Sequence, residues 1–400
     1  MTLLAPLVTT PAMLAYFGDS DFGLWATAVS ITTIAVVADL GIGSGVLTRV
    51  SAAHGSGDTL AVRRYLSSAL AILGLVAALA FVATAFCLWL LGASTIIAAV
   101  VLTFIAGIPG ALFFQYLFAV QRVPSANALQ IVSAALSVSL AVGTIALQLP
   151  PWLVAISYAA PPILITYCWA TIHFARHAHY RPALRLVDFP LGRDLLRLGL
   201  QFFVLSILTA IGTNIDNVIV ASQVGADAVA AYSIPMRLGS LLTLIVVAIT
   251  MPMWGANGEA VARHEYDWVG KTAAKISLVS AAVVAAAGVV LFLTSDWIIQ
   301  LWIGRSFENQ RLVILGLVGL SVATALTSPY NMVLNALGKV RVQICAWGAF
   351  VVVTVLVKLA VAAASVTWAL ATVSAIAYAA IILPAMMISA RRALSKARGH

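Results

Sequence analysis

Four charged residues stand inside runs of sequence that are otherwise fit for lipid: Asp39, Asp216, Arg237 and Lys358. A charge at membrane depth is costly, so such residues pair with one another or face a watery path for a substrate or ion. Asp39, in "VVADLGIGSG", lies roughly 12 Å of helical rise from the inner end of its run, too deep to be interfacial. It has two readings: an anchor hydrogen-bonded to a neighbouring helix, or the carrier of a coupling proton or cation. Asp216, Arg237 and Lys358 fall in the outer parts of three later runs. Pairing Asp216 with Arg237 leaves Lys358 as unmatched positive charge, a field suited to a pyrophosphate or an acidic sugar. The long stem of Lys358 equally lets its ammonium reach the headgroups. Asn214 and Asn217, beside Asp216, can hydrogen-bond a sugar or another helix.

Other chemistries find little support. The glycines of "DLGIGSG" lack dinucleotide-binding spacing; Gly41 and Gly45, four apart, instead form the small-xxx-small pattern of close helix approach. His177 and His179 have no third ligand nearby, and Cys87, Cys168 and Cys345 read as packing residues of separate helices, so no metal site and no cofactor are expected. Asp58 reads as the N-cap of the helix "TLAVRRYL". The longest outer loop, near 295–311, holds only Asp296, Glu308 and two arginines, a poor basis for catalysis.

The elements that must position these residues are membrane helices. Residues are 62% hydrophobic and 9% charged, with a mean hydropathy of +1.06, which excludes a soluble globular domain. Apolar runs long enough to cross a bilayer recur about twelve times, at 1–17, 23–48, 66–91, 95–119, 126–148, 152–174, 198–221, 229–254, 274–294, 312–336, 342–363 and 366–389. Nearly all of the 22 Lys and Arg residues fall in alternate connections or the tail, which makes both termini cytoplasmic. That bias accounts for the net charge of +9 without a nucleic-acid partner. The expected fold is all-α: an N-terminal six-helix lobe over 1–174, a cytoplasmic linker over 175–197, and a second six-helix lobe with a basic tail over 198–400. Asp188 followed by Pro190 reads as a helix start, and leucines and arginines over 191–198 as an interfacial amphipathic helix.

The halves repeat at about 210 residues, as in many secondary transporters. "GDSDFGLW" ending at Trp25 parallels "GADAVAAY" ending at Tyr232, "GSGD" at Asp58 parallels "ANGE" at Glu259, and "LFAVQR" at Arg122 parallels "LNALGK" at Lys339. Together with "MPMWGANGEA", "LWIG" and "LNALGKVRVQ", these segments resemble the Wzx-type polysaccharide-lipid flippases of the multidrug/oligosaccharidyl-lipid/polysaccharide exporter superfamily, over nearly the whole chain. The start departs from the pattern, since those proteins usually carry a longer first helix and a basic lead.

The resemblance implies a bacterial inner-membrane protein that flips polyprenyl-pyrophosphate-linked oligosaccharide to the periplasmic leaflet by alternating access. It implies work beside a polysaccharide polymerase and chain-length machinery. Two other functions fit the same sequence: a cation-coupled multidrug exporter of that superfamily, and a membrane-embedded enzyme of polysaccharide assembly. Asp39 and Asp216 keep the first open while the cationic set of Arg237 and Lys358 argues against it, and the short outer loops speak against the second.

Overall fold

The computed structural model describes residues 13, 15–17, 25, 40–223, 226–303, 309–364 and 366–398. The first two predicted runs lie mostly outside these residues, as does Asp39. The described residues are helical throughout: α1 (Ile42–Gly55), α2 (Thr59–Leu90), α3 (Thr95–Ala119), α4 (Val123–Ala146) and α5 (Pro151–Arg176), then two short 3-10 turns. There follow α6 (Phe189–Gln223), α7 (Ala226–Ala262), α8 (Tyr266–Ile303), α9 (Gln310–Ala336), α10 (Val340–Ala363), α11 (Ala369–Ala377), a π-helical turn, and α12 (Leu383–Arg398). Ten helical stretches among the described residues are long and apolar enough to cross a membrane. Contacts divide the chain into two units, Met1–Leu200 and Gln201–His400, with the boundary inside α6. The expected interfacial helix is thus the start of α6, capped by Asp188, whose Oδ1 accepts from Leu191 N at 3.2 Å.

Within the run predicted over 23–48, Leu40 and Gly41 both have left-handed backbones, with φ of 52° and 69°, and α1 begins at Ile42 and continues to Gly55. Glycine bears that conformation without a Cβ clash. The close approach expected of Gly41 and Gly45 is made against Gly199 of α6. A Cβ on Gly45 would lie 3.3 Å from the Leu195 carbonyl oxygen, and one on Gly199 only 2.9 Å from that of Leu40. Backbone contact between α1 and α6 brings Arg49 onto Asp194 in a two-pronged ion pair, Nε to Oδ2 at 2.7 Å and Nη2 to Oδ1 at 2.8 Å. We expect Gly199→Leu to lower the thermal midpoint of the purified protein far more than Gly74→Leu, because Gly74 has open space around it. Equal midpoints for the two variants would show that the backbone contact is not needed.

Connections between helices carry the sequence repeat as geometry. Asp58 N bonds Ala53 O at 2.9 Å after the left-handed Gly57, and its side chain caps α2 by accepting from Ala61 N at 2.8 Å. In the second unit Glu265 N bonds Ala260 O at 2.9 Å after the left-handed His264. The counterpart of Gly57–Asp58 is therefore His264–Glu265, at the same offset that separates Trp25 from Tyr232. Matching "GSGD" with "ANGE" placed it within the helix, because a shared glycine and acid outweighed the turn. The other matched turns agree directly: Arg122 N to Leu117 O and Lys339 N to Leu334 O, both 2.8 Å, follow the left-handed Gln121 and Gly338.

In the second unit α9 packs between α7, α8 and α11. A Cβ on Gly316 would stand 2.6 Å from Thr372 N, so α9 and α11 meet backbone to backbone. Polar side chains tie α9 to its neighbours where lipid offers no partner: Ser277 Oγ donates to Leu326 O at 2.6 Å, Ser280 Oγ to Ala325 O at 2.9 Å, and Thr250 shares a hydrogen bond with Ser328 at 2.9 Å. Between them lies an apolar core that includes Leu242, Val246, Val284, Ile299 and Ile314.

Candidate functional site

The charges of the second unit separate into a sealed cluster and an exposed one. Asp216 on α6 is 4% exposed, Tyr232 on α7 is 2% and Lys358 on α10 is fully buried. Lys358 Nζ forms an ion pair with Asp216 Oδ1, and the Tyr232 hydroxyl donates to Oδ2 at 2.5 Å. Each carboxylate oxygen thus has a donor, as a charge in an apolar setting demands. Tyr232 itself packs in an apolar cluster with Ile219, Val220, Leu317, Ala362 and Leu370.

This arrangement corrects the expected pairing. Asp216 is matched by Lys358, not by Arg237, so Lys358 is not free positive charge, and with no exposed surface its ammonium does not reach the headgroups. Helical phase explains the choice. Phe202, Leu205, Gly212, Asp216 and Ile219 fall on the buried face of α6, while Ser206, Thr213 and Asn214 fall on an exposed one. On α10 the buried Phe350, Thr354, Lys358 and Ala362 follow one another about a turn apart.

Arg237 is exposed on α7, one turn from the exposed Ser240 and Leu241, and among the described residues it forms no ion pair. Asn214 is also exposed, with Nδ2 donating to Ala210 O at 2.9 Å and to Thr213 Oγ1 at 3.1 Å. The side chain of Asn217 lies outside the described residues. Asn214 and Arg237 thus each hold an exposed polar group within an apolar span, where acyl chains offer it no hydrogen-bond partner.

Other residues singled out in the sequence are engaged locally. His177 stacks on His173 at 4.4 Å and meets Arg122 Nη2 at 3.1 Å, and no group of three or more metal-ligating side chains occurs among the described residues. Asp296, expected on the longest outer loop, lies instead within α8, where it is held by Arg311 at 2.5 Å and by Gln310 Nε2 at 2.7 Å. The three cysteines are free thiols at exposed positions, so their expected packing role does not hold.

Ten apolar helical stretches of spanning length among the described residues, with a carboxylate sealed between them, define a polytopic helical membrane protein. The first 254 residues match the family model described as "Polysaccharide biosynthesis protein", and this chain belongs to that family. It is 24% identical over 148 residues to a putative O-antigen export protein of Yersinia pseudotuberculosis, a match covering 37% of this chain and 34% of that relative. The match therefore spans about a third of the curated relative's length. The fold is similar to that of a multidrug resistance MATE family transporter of the MOP superfamily in an outward-facing conformation, with a TM-score of 0.82, 12% identity and coverage of 100% of this chain and 94% of that one. It is similar also to the Vibrio cholerae MATE transporter VcmN in the bent form, with a TM-score of 0.76, 17% identity and coverage of 99% and 93%. The chain thus belongs to a polysaccharide biosynthesis family, has the fold seen in MATE transporters, and resembles the Wzx-type flippases.

Proposed function

We propose that this transporter moves polyprenyl-pyrophosphate-linked oligosaccharide from the cytoplasmic to the periplasmic leaflet of the bacterial inner membrane by alternating access. One observation carries the reading: Arg237 is an exposed cation within an apolar span with no ion pair among the described residues, whereas the carboxylate of Asp216 is sealed and neutralised and that of Asp296 is held by Arg311. A cargo led by a pyrophosphate is drawn to a cation, and a cationic drug is drawn to an open carboxylate. Arg237, Asn214 and Asn217 are the residues we assign to the cargo. Asp216 and Lys358 hold the helices that present them. Asp39, outside the described residues, is the group we assign to a coupling proton or cation. The positive-inside distribution of Lys and Arg supports cytoplasmic termini, and a polymerase with chain-length machinery is the natural recipient of the flipped cargo.

The discriminating experiment removes the gene and restores it on a plasmid. We expect loss of surface polysaccharide, accumulation of lipid-linked oligosaccharide that external glycosidase cannot reach, and unchanged susceptibility to cationic drugs. Hypersensitivity to those drugs with normal surface polysaccharide would instead identify a multidrug exporter.

A further inference from the structure

Within the first unit a groove of about 400 Å³ runs over α3 between α2 and α5. Phe113 and Tyr116 form its floor, and Leu66 and Leu70 of α2 face Tyr167 and Phe174 of α5 across it. Gly110 and Pro109 shape the floor. A Cβ on Gly110 would stand 3.3 Å from the Tyr167 ring, so its absence lets that ring lie against α3. Proline leaves a helical carbonyl without its usual donor nearby, and the Tyr167 hydroxyl donates to Ala106 O at 2.7 Å in the same turn. Arg181 and Pro182 of the linker stand at the cytoplasmic mouth.

The linker is strapped to α2 there. Arg63 Nε donates to Arg181 O at 2.9 Å, Ala183 N to Ser67 Oγ at 3.0 Å, and Asp188 N to Ser68 Oγ at 2.9 Å. The strap leaves the Arg181 side chain exposed, with no carboxylate paired to it among the described residues. Beside it Leu184 and Phe189 are 86% and 89% exposed, which fits a segment whose apolar side chains dip among lipid headgroups.

We propose that this groove holds one anionic phospholipid, its acyl chain against the aromatic and leucine walls and its phosphate on Arg181. Charge complementarity and depth select the occupant: the walls are apolar, and the unpaired guanidinium sits at the level of the cytoplasmic headgroups, where anionic lipids concentrate. Floor and both walls belong to a single unit, so the lipid is a resident, not the translocated cargo.

The full chain is purified, reconstituted in phosphatidylcholine nanodiscs with or without phosphatidylglycerol, and released into native mass spectrometry. The wild type is expected to retain one phosphatidylglycerol and no phosphatidylcholine. Loss of one interfacial cation weakens the interaction by a factor of about five, so Arg181→Gln should need that much more phosphatidylglycerol for equal retention, and Arg181→Lys should not. Ala170→Trp, which fills the groove, should abolish retention in protein that remains monodisperse. Equal retention of both lipids, or unchanged retention in Arg181→Gln, would overturn the proposal. One-for-one displacement by polyprenyl phosphate would also overturn it, by returning the groove to the cargo. If Ala170→Trp fails to fold, the Arg181 pair of variants still decides.

Discussion

Asp216→Ala is expected to remove most folded protein from the membrane, and Lys358→Met to do nearly the same. Removing one member of a buried ion pair leaves the other charge without a partner, at a cost of about 3–5 kcal/mol. That is a large part of the stability of an ordinary domain. Here Lys358 has no exposed surface, so relief by water is blocked, and Tyr232 would lose its acceptor as well. The double variant Asp216→Leu with Lys358→Met removes both charges and should recover folded protein, since apolar replacement of a buried pair is often neutral. Tyr232→Phe, which leaves the pair intact, should cost only about 1 kcal/mol. Fluorescence-detected gel filtration of membrane extracts and the thermal midpoints of the purified variants measure each step. A well-folded Asp216→Ala protein would show that the pair does not hold α6, α7 and α10 together. Recovery of folding without recovery of polysaccharide in the double variant would give the pair a part in transport as well.

How much of this was legible in the sequence depends on which physical signal each feature leaves. The fold class and ten of the twelve expected crossings followed from apolar runs alone, because a bilayer sets the length of a crossing, and the first two runs lie mostly outside the described residues. The caps at Asp58 and Asp188 were legible because a side-chain acceptor must sit within three residues of the donor it satisfies. The left-handed turn at Leu40–Gly41 was not legible, since the glycine cluster fits equally a continuous helix with a small-residue face. Its true packing partner, Gly199, stands more than a hundred residues away in the sequence, and one sequence gives no pairing information over that distance. The Asp216–Lys358 pair was missed for a different reason. Arg237 lies nearer in the chain, and proximity was weighed above phase, although two residues of helix turn a side chain by about 200° and so separate Asn214 from Asp216. The same phase argument, applied to Phe350, Thr354 and Lys358, would have put the lysine on the buried face.

With Asp216 and Lys358 tied to one another, Arg237 becomes the residue on which the anionic-cargo reading stands or falls. Its exposure means that a substitution leaves no buried charge behind, so Arg237→Gln should fold and reach the membrane at wild-type levels. A charged hydrogen bond to a phosphate contributes about 1.5–3 kcal/mol, which is a loss of roughly tenfold to a hundredfold in cargo affinity. Surface polysaccharide in cells carrying Arg237→Gln should fall in proportion once cargo is limiting. Arg237→Glu should be lower still, because repulsion is added to the lost attraction. Arg237→Lys should keep the charge, lose the paired donors of the guanidinium and fall between. Asn214→Ala removes a neutral hydrogen bond worth about 1 kcal/mol, so a loss of only a few-fold is expected there. The order Lys, Gln, Glu at position 237, with protein levels equal by immunoblot, separates a cation that draws cargo from one that merely rests at the surface. If all three variants made wild-type polysaccharide at limiting expression, the charge at position 237 would have no part in transport.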